Sequence, residues 1–125
     1  MPYTEIIFFH NGRRTPVLDW LQKLKKQDAQ AYIKCKAKIK YLESFGYELR
    51  RPHVDYLENG IYELRIRMIN VQYRILFFYY GKNAVILSNA ITKYEKIPPI
   101  EIKRCIKNRK IFESNPLKYR KVEEI

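Results

Sequence analysis

Three arginines lie inside a segment that otherwise has the pattern of a buried β-hairpin. In ENGIYELRIRMINVQYRILFFYY, residues 58–80, Arg65, Arg67 and Arg74 alternate with aliphatic and aromatic side chains. A guanidinium group matches the oxygen atoms of a phosphate and stays charged in any surroundings. These residue types therefore suggest a phosphate site on one face of the hairpin.

The alternation determines which of these side chains share a face. A two-residue connection at Ile69-Asn70 places Arg65 opposite Arg74, whereas a four-residue loop places Arg67 opposite Arg74. In either register two guanidinium groups face each other, which destabilises a sheet by up to about 1 kcal/mol. Two interpretations stay open: Glu63 and nearby acids pair with the arginines on a solvated face, or the face is a concave phosphate site. The opposite, apolar face carries Tyr62, Leu64, Ile66 and Met68.

The composition points to an anionic partner. The 125 residues include 25 Lys and Arg against 13 Asp and Glu, a net charge of +12. Such a charge is typical of proteins that bind nucleic acids, although acidic proteins and membrane surfaces attract it too.

Cys35 and Cys105 are too few and too isolated for a disulfide framework or a zinc site, and we expect both to be buried thiols. Because no apolar run approaches the roughly 20 residues of a membrane span and no secretory signal is recognisable, we expect a cytoplasmic protein without a membrane partner.

The remaining patterns predict the elements that position the arginines. Asp28 and Gly46 are suited to cap an amphipathic helix, and Thr15-Pro16 and Pro98-Pro99 are typical of helix starts. The length fits one α+β domain, for which we predict a twisted, mainly antiparallel sheet of about four to five strands packed against two N-terminal helices, plus a C-terminal helix. We place this domain at residues 1–112 and expect a flexible tail at 113–125. The predicted strands are Tyr3–Phe9, Val54–Leu57, the hairpin at 61–80 and Ala84–Ile91.

Four segments follow one another at a characteristic spacing, namely NGRRTPVLDWLQKL, LESFGYELRRPHVDYLENGIYELRIR, QYRILFFYY and VILSNAITKYEKIPPIEI. In their order and spacing they resemble the phage-derived HigB branch of the RelE toxin family. The resemblance implies a RelE-like fold and a toxin of a toxin-antitoxin pair that cleaves mRNA on the ribosome. It also implies a cognate antitoxin, expected to be a helix-turn-helix protein, and no cofactor. ParE-like toxins share the fold but inhibit DNA gyrase, so gyrase inhibition stays open as an alternative. A basic nucleic-acid-binding module is a further alternative.

The resemblance also implies which residues form the site. Arg65 matches the family's Glu-Leu-Arg segment, Arg74 its Tyr-Arg segment and Lys93 its Lys-Lys segment. This chain departs from the last motif, because Ala90 and Thr92 stand where a Phe and a Lys are usual. With two secondary candidates included, the predicted catalytic residues are Arg65, Arg74, Lys93, Tyr94 and Glu63.

Metal-free cleavage of RNA needs groups that remove a proton, stabilise phosphate charge and protonate the leaving oxygen. A pair of histidines could do the proton transfers, but nothing in the sequence places His10 and His53 together, and we interpret both as structural. The cationic residues are the favoured solution, and no spacing of acids or histidines predicts a metal site. The residues predicted to bind the RNA backbone are Arg67, Lys34, Lys38, Lys103, Lys107 and Lys110.

Overall fold

A computed structural model of the chain describes residues 4–92 and 96–125. In chain order its elements are β1 (Glu5–Phe9), α1 (Pro16–Gln27), α2 (Ala29–Phe45), β2 (Val54–Glu58), β3 (Ile61–Arg67), β4 (Gln72–Tyr80), β5 (Ala84–Thr92), α3 (Pro99–Ser114) and β6 (Arg120–Lys121). A short 3-10 turn, Gly46–Glu48, connects α2 to the segment before β2.

The strands form one sheet in the order β2-β3-β4-β5-β1-β6. All neighbours are antiparallel except β1 and β5, which run parallel. This confirms the predicted α+β architecture but adds a sixth strand. β6 comes from the tail, where Arg120 pairs with Phe9 and the backbone oxygen of Tyr119 accepts a hydrogen bond from His10 N at 3.1 Å. The sequence did not predict β6 because a two-residue strand of Arg and Lys has no apolar alternation.

Helices cover the two faces of the sheet. The apolar sides of α1 and α2 pack on one face against side chains such as Leu64, Ile75 and Leu87. On the other face, Cys105 and Phe112 of α3 pack against a second apolar cluster.

Both cysteines are buried thiols, and burial raises the pKa of each to about 12. In the described part of the chain, no helix combines the length and the apolar character that a membrane span requires.

The helix ends follow the predicted capping signals with one exception. Asp28 caps α2, because its side chain accepts a hydrogen bond from Ala31 N at 3.1 Å. Thr15 occupies the N-cap position of α1 but makes no capping bond with its side chain. Its hydroxyl oxygen instead lies 2.8 Å from His10 Nδ1, which leaves His10 in a structural contact at the end of β1.

Gly46 ends α2 at a place where its backbone lies close to Thr4, the residue before β1. Its φ is +52°, and a Cβ atom at this position would collide with the hydroxyl of Thr4. Gly81 is a matched comparison, because its φ is +63° but a Cβ atom there would meet no atom within 4 Å.

We therefore expect Gly81→Ala to lower the free energy of unfolding by about 1 kcal/mol, the cost of a left-handed backbone with a side chain. Gly46→Ala should lower it by about 2 to 4 kcal/mol, because overpacking adds to the backbone cost. Urea unfolding measures both. Equal losses in the two variants would contradict the contact between Gly46 and Thr4.

Candidate functional site

The hairpin of β3 and β4 brings two arginines face to face. Arg65 lies directly opposite Arg74, and Arg67 lies opposite Gln72. This is the register predicted for the short connection, and Met68 N closes the turn by donating to the Val71 oxygen at 2.9 Å.

Glu63 lies between the two guanidinium groups and offsets their repulsion. Its Oε1 atom is 3.4 Å from Arg65 Nε and 3.5 Å from Arg74 Nε. The residue is only 5% exposed, and burial raises the pKa of Glu63 while the positive charges of Arg74 and Arg65 act in the opposite direction. Glu63 therefore holds the arginine pair together from a position that solvent hardly reaches.

Arg74 is much more deeply buried than Arg65. It is 3% exposed, and its Nη2 donates a hydrogen bond to Gln72 Oε1 at 2.6 Å. Burial lowers the pKa of Arg74, whereas Glu63 acts to raise it. The side chain of Arg65 is 27% exposed, so Arg65 is the member of the pair that remains open to a ligand.

A cleft of about 700 Å³ opens at the edge of β3, beside α2. The cleft exists because β2 begins only at Val54, so that no described strand lies beside the last residues of β3 at this edge of the sheet. Their neighbours at this edge are α2 and the turn before β2. We call it the basic cleft. It is lined by Lys34, Ala37, Lys38, Tyr41, Pro52, His53, Arg65, Ile66, Arg67 and Arg74. None of these described residues is acidic, so the lining has a positive potential suited to an anion.

The helix side of the basic cleft includes two of the predicted RNA-binding lysines. Lys34 Nζ donates to the backbone oxygen of Arg67 at 3.2 Å, which ties α2 to the end of β3. Lys38 Nζ is in hydrogen-bond contact with His53 Nδ1. Burial and then the charge of Lys34 lower the pKa of Lys38, while burial and then the charge of Lys38 lower the pKa of His53.

His53 is the residue that sequence reasoning undervalued. Its position in RPHVDYL carries no periodic relation to Lys38, so only the packing of α2 against the turn before β2 brings them together. The one available signal was that a His immediately precedes an edge strand whose partner contains Arg65. In the structure the backbone oxygen of His53 accepts a hydrogen bond from Arg65 N at 2.8 Å.

The remaining candidates are distributed elsewhere. Lys103, Lys107 and Lys110 are exposed on α3, and none of them lines the basic cleft. Lys103 and Lys107 line a different cavity of about 450 Å³ beside α3. Lys93 and Tyr94 lie outside the described residues. Within residues 4–92 and 96–125 there is no group of three or more His, Cys, Asp or Glu side chains that could hold a metal ion.

The chain matches the model of a known protein family. A family model described as "Phage derived protein Gp49-like (DUF891)" matches residues 19–110, more than half of the chain. No curated protein matches the chain. The matched range includes every described residue that lines the basic cleft.

Arg74→Ala should lower the free energy of unfolding by about 3 kcal/mol, because the buried carboxylate of Glu63 loses one of its two partners. Arg67→Ala is the matched control. It removes the same charge from an exposed side chain of the same hairpin and should change stability by no more than about 0.5 kcal/mol. Urea unfolding at neutral pH measures both variants.

The loss caused by Arg74→Ala should become smaller at about pH 5. Removing the Arg74 charge raises the pKa of Glu63 further above its ordinary value of 4.5. A carboxyl group whose pKa is raised by folding binds more protons in the folded state than in the unfolded state. Its contribution to the free energy of unfolding is therefore present below the ordinary pKa and is lost as the pH rises through the raised value. A loss that stays constant between about pH 5 and neutral pH would show that Glu63 is not the cause.

Proposed function

The chain belongs to the phage-derived Gp49-like family, within the RelE/HigB-type group of toxins, and from this premise we propose that it inhibits translation by cutting mRNA on the ribosome. The family is one of toxin-antitoxin systems, which supports a cognate antitoxin as partner. The finer assignment, cleavage of RNA, rests on the chemistry of the basic cleft.

One observation carries the proposal: positive side chains from two elements converge on a single cleft. Lys34 and Lys38 come from α2, and Arg65 and Arg67 come from β3. A volume of about 700 Å³ lies within the range of pockets that hold small ligands, so the cleft can admit part of a nucleotide chain. Contacts of this kind bind the phosphate backbone without reading the base sequence.

The reaction that suits this site is attack by the ribose 2′-hydroxyl on the adjacent phosphorus. The new bond forms a 2′,3′-cyclic phosphate as the 2′-hydroxyl gives its proton to water, and the bond to the 5′-oxygen breaks to leave a 5′-hydroxyl end. Negative charge builds up on the phosphate oxygens as the 2′-oxygen bonds, and preorganised donors stabilise it. Arg65 and Arg67 are suited to this role, because both line the cleft and neither is buried.

Arg74 and Glu63 support the site from behind. Both are almost completely buried, and Glu63 contacts the guanidinium group of Arg65 as well as that of Arg74. We assign Glu63 a positioning role, because a carboxylate with two ion-pair partners restricts the orientation of Arg65. Preorganisation of this kind lowers the barrier only if Arg65 is already in place when the charge develops.

The proposal is tested by incubating the purified protein with ribosomes that carry a defined mRNA and mapping the new RNA ends. Arg65→Ala should reduce the cleavage rate about a hundredfold or more, the usual effect of losing one preorganised donor. Arg13→Ala removes the same charge from an exposed residue that does not line the basic cleft, and its rate should remain that of the unmodified protein.

New 5′-hydroxyl ends paired with 2′,3′-cyclic phosphates would support the proposal. If the unmodified protein produces no new ends, RNA cleavage is wrong, and inhibition of a protein target such as gyrase becomes the better interpretation. If Arg65→Ala cuts as fast as Arg13→Ala, the reaction takes place outside the basic cleft.

A further inference from the structure

Lys38 and His53 form a hydrogen-bonded pair in the lining of the basic cleft. Lys38 is half-buried on α2, and its Nζ contacts Nδ1 of His53. Backbone bonds hold His53 on both sides: its N donates to the Arg50 oxygen at 2.9 Å and its oxygen accepts from Arg65 N at 2.8 Å. The ring of Tyr41 packs edge-on against the imidazole with 5.4 Å between ring centroids. The imidazole is therefore fixed in the cleft wall.

This contact assigns the tautomer of the neutral ring. An ammonium group has three donors and no acceptor, so Nδ1 must be the accepting nitrogen. The proton of the neutral imidazole consequently lies on Nε2. In this form His53 can release the Nε2 proton only if Nδ1 takes up another, and the ammonium of Lys38 is in place to supply it.

The surroundings favour this proton transfer. The charged side chains from α2, β3 and β4 that line the basic cleft together with the pair are all positive, namely Lys34, Arg65, Arg67 and Arg74. No carboxylate is among the described lining residues. Burial, and then the charge of Lys34, lower the pKa of Lys38 and so make its ammonium a stronger acid. Burial, and then the charge of Lys38, lower the pKa of His53 and so favour its neutral form.

We propose that Lys38 and His53 act together as the proton donor to the leaving 5′-oxygen, with Lys38 as the source and the imidazole as the relay. This inference rests on the proposed RNA cleavage and names the residues of one of its steps. As the bond between phosphorus and the 5′-oxygen breaks, its electron pair stays on the oxygen, which takes the proton from His53 Nε2. Nδ1 takes a proton from Lys38 Nζ at the same time. The imidazole ends neutral with its proton on Nδ1, and the neutral amine of Lys38 regains a proton from water.

A substrate with a sulfur atom in place of the leaving 5′-oxygen separates this role from a structural one. A thiolate leaves without being protonated, so the need for a proton donor disappears. Lys38→Arg keeps the charge and a donor towards Nδ1, but a guanidinium does not release its proton. On ordinary mRNA, Lys38→Arg and His53→Gln should each cut about a hundredfold or more slowly. On mRNA with sulfur at the mapped cleavage position, the loss should fall below about tenfold, because general acid catalysis is no longer needed.

Arg67→Ala is the control, and it should be slowed equally on both substrates because the role proposed for Arg67 is to stabilise phosphate charge. Equal losses for Lys38→Arg on the oxygen and sulfur substrates would overturn the proposal and leave the pair a structural contact. Unchanged cleavage of ordinary mRNA by either variant would overturn it too. If the unmodified protein itself does not cut mRNA, the proposed function is wrong instead.

The geometry of the pair can be measured without RNA. Nitrogen NMR of the imidazole should find the neutral ring protonated on Nε2, and Lys38→Met should raise the pKa of His53 by removing a positive neighbour. A ring protonated on Nδ1, or a His53 pKa that does not respond to Lys38→Met, would overturn the proposed relay even in a protein that cuts RNA.

Discussion

The site depends on one buried carboxylate that lies between two like charges. Without Glu63, the facing guanidinium groups of Arg65 and Arg74 would repel each other across the hairpin. With it, one arginine is buried as a structural partner while the other stays partly open at the cleft. The row of cross-strand neighbours that contains Glu63 continues to Asn89. The side-chain amide of Asn89 donates to the backbone oxygen and the side chain of Glu101 at the start of α3. The charged face is thus anchored to the helix on that face.

The length of β2 determines where the cleft can form. Because β2 pairs with β3 only up to the position of Leu64, the segment from Arg65 to Arg67 is left without a strand neighbour on that side. The basic side of α2 and the turn carrying His53 occupy this space without filling it. A longer β2 would have given a continuous sheet edge, and the lysines of α2 would have faced solvent alone. A small change in strand length therefore separates a cleft lined by positive side chains from an ordinary charged surface.

Much of the fold follows from local patterns, whereas the site needs tertiary information. Strict alternation restricts the partner of Arg74 to Arg65 or Arg67, and the structure has the register with Arg65. Asp28 and Gly46 mark the ends of α2. A period of two identifies the face of a strand but not what covers that face, so the burial of Arg74 was not predictable. The contact between Lys38 and His53 joins a helix to a turn, and no spacing rule relates such positions. Both results depend on how elements pack against one another.

The most direct measurement is the structure of the protein on a ribosome whose mRNA carries a 2′-deoxynucleotide before the bond to be cut. Such a message binds but lacks the attacking hydroxyl, so the complex is trapped before cleavage. We expect the phosphate of that bond within hydrogen-bond distance of Arg65 in the basic cleft, with the 5′-oxygen nearest to His53. A message that instead follows the lysines of α3 and leaves the basic cleft empty would contradict this account.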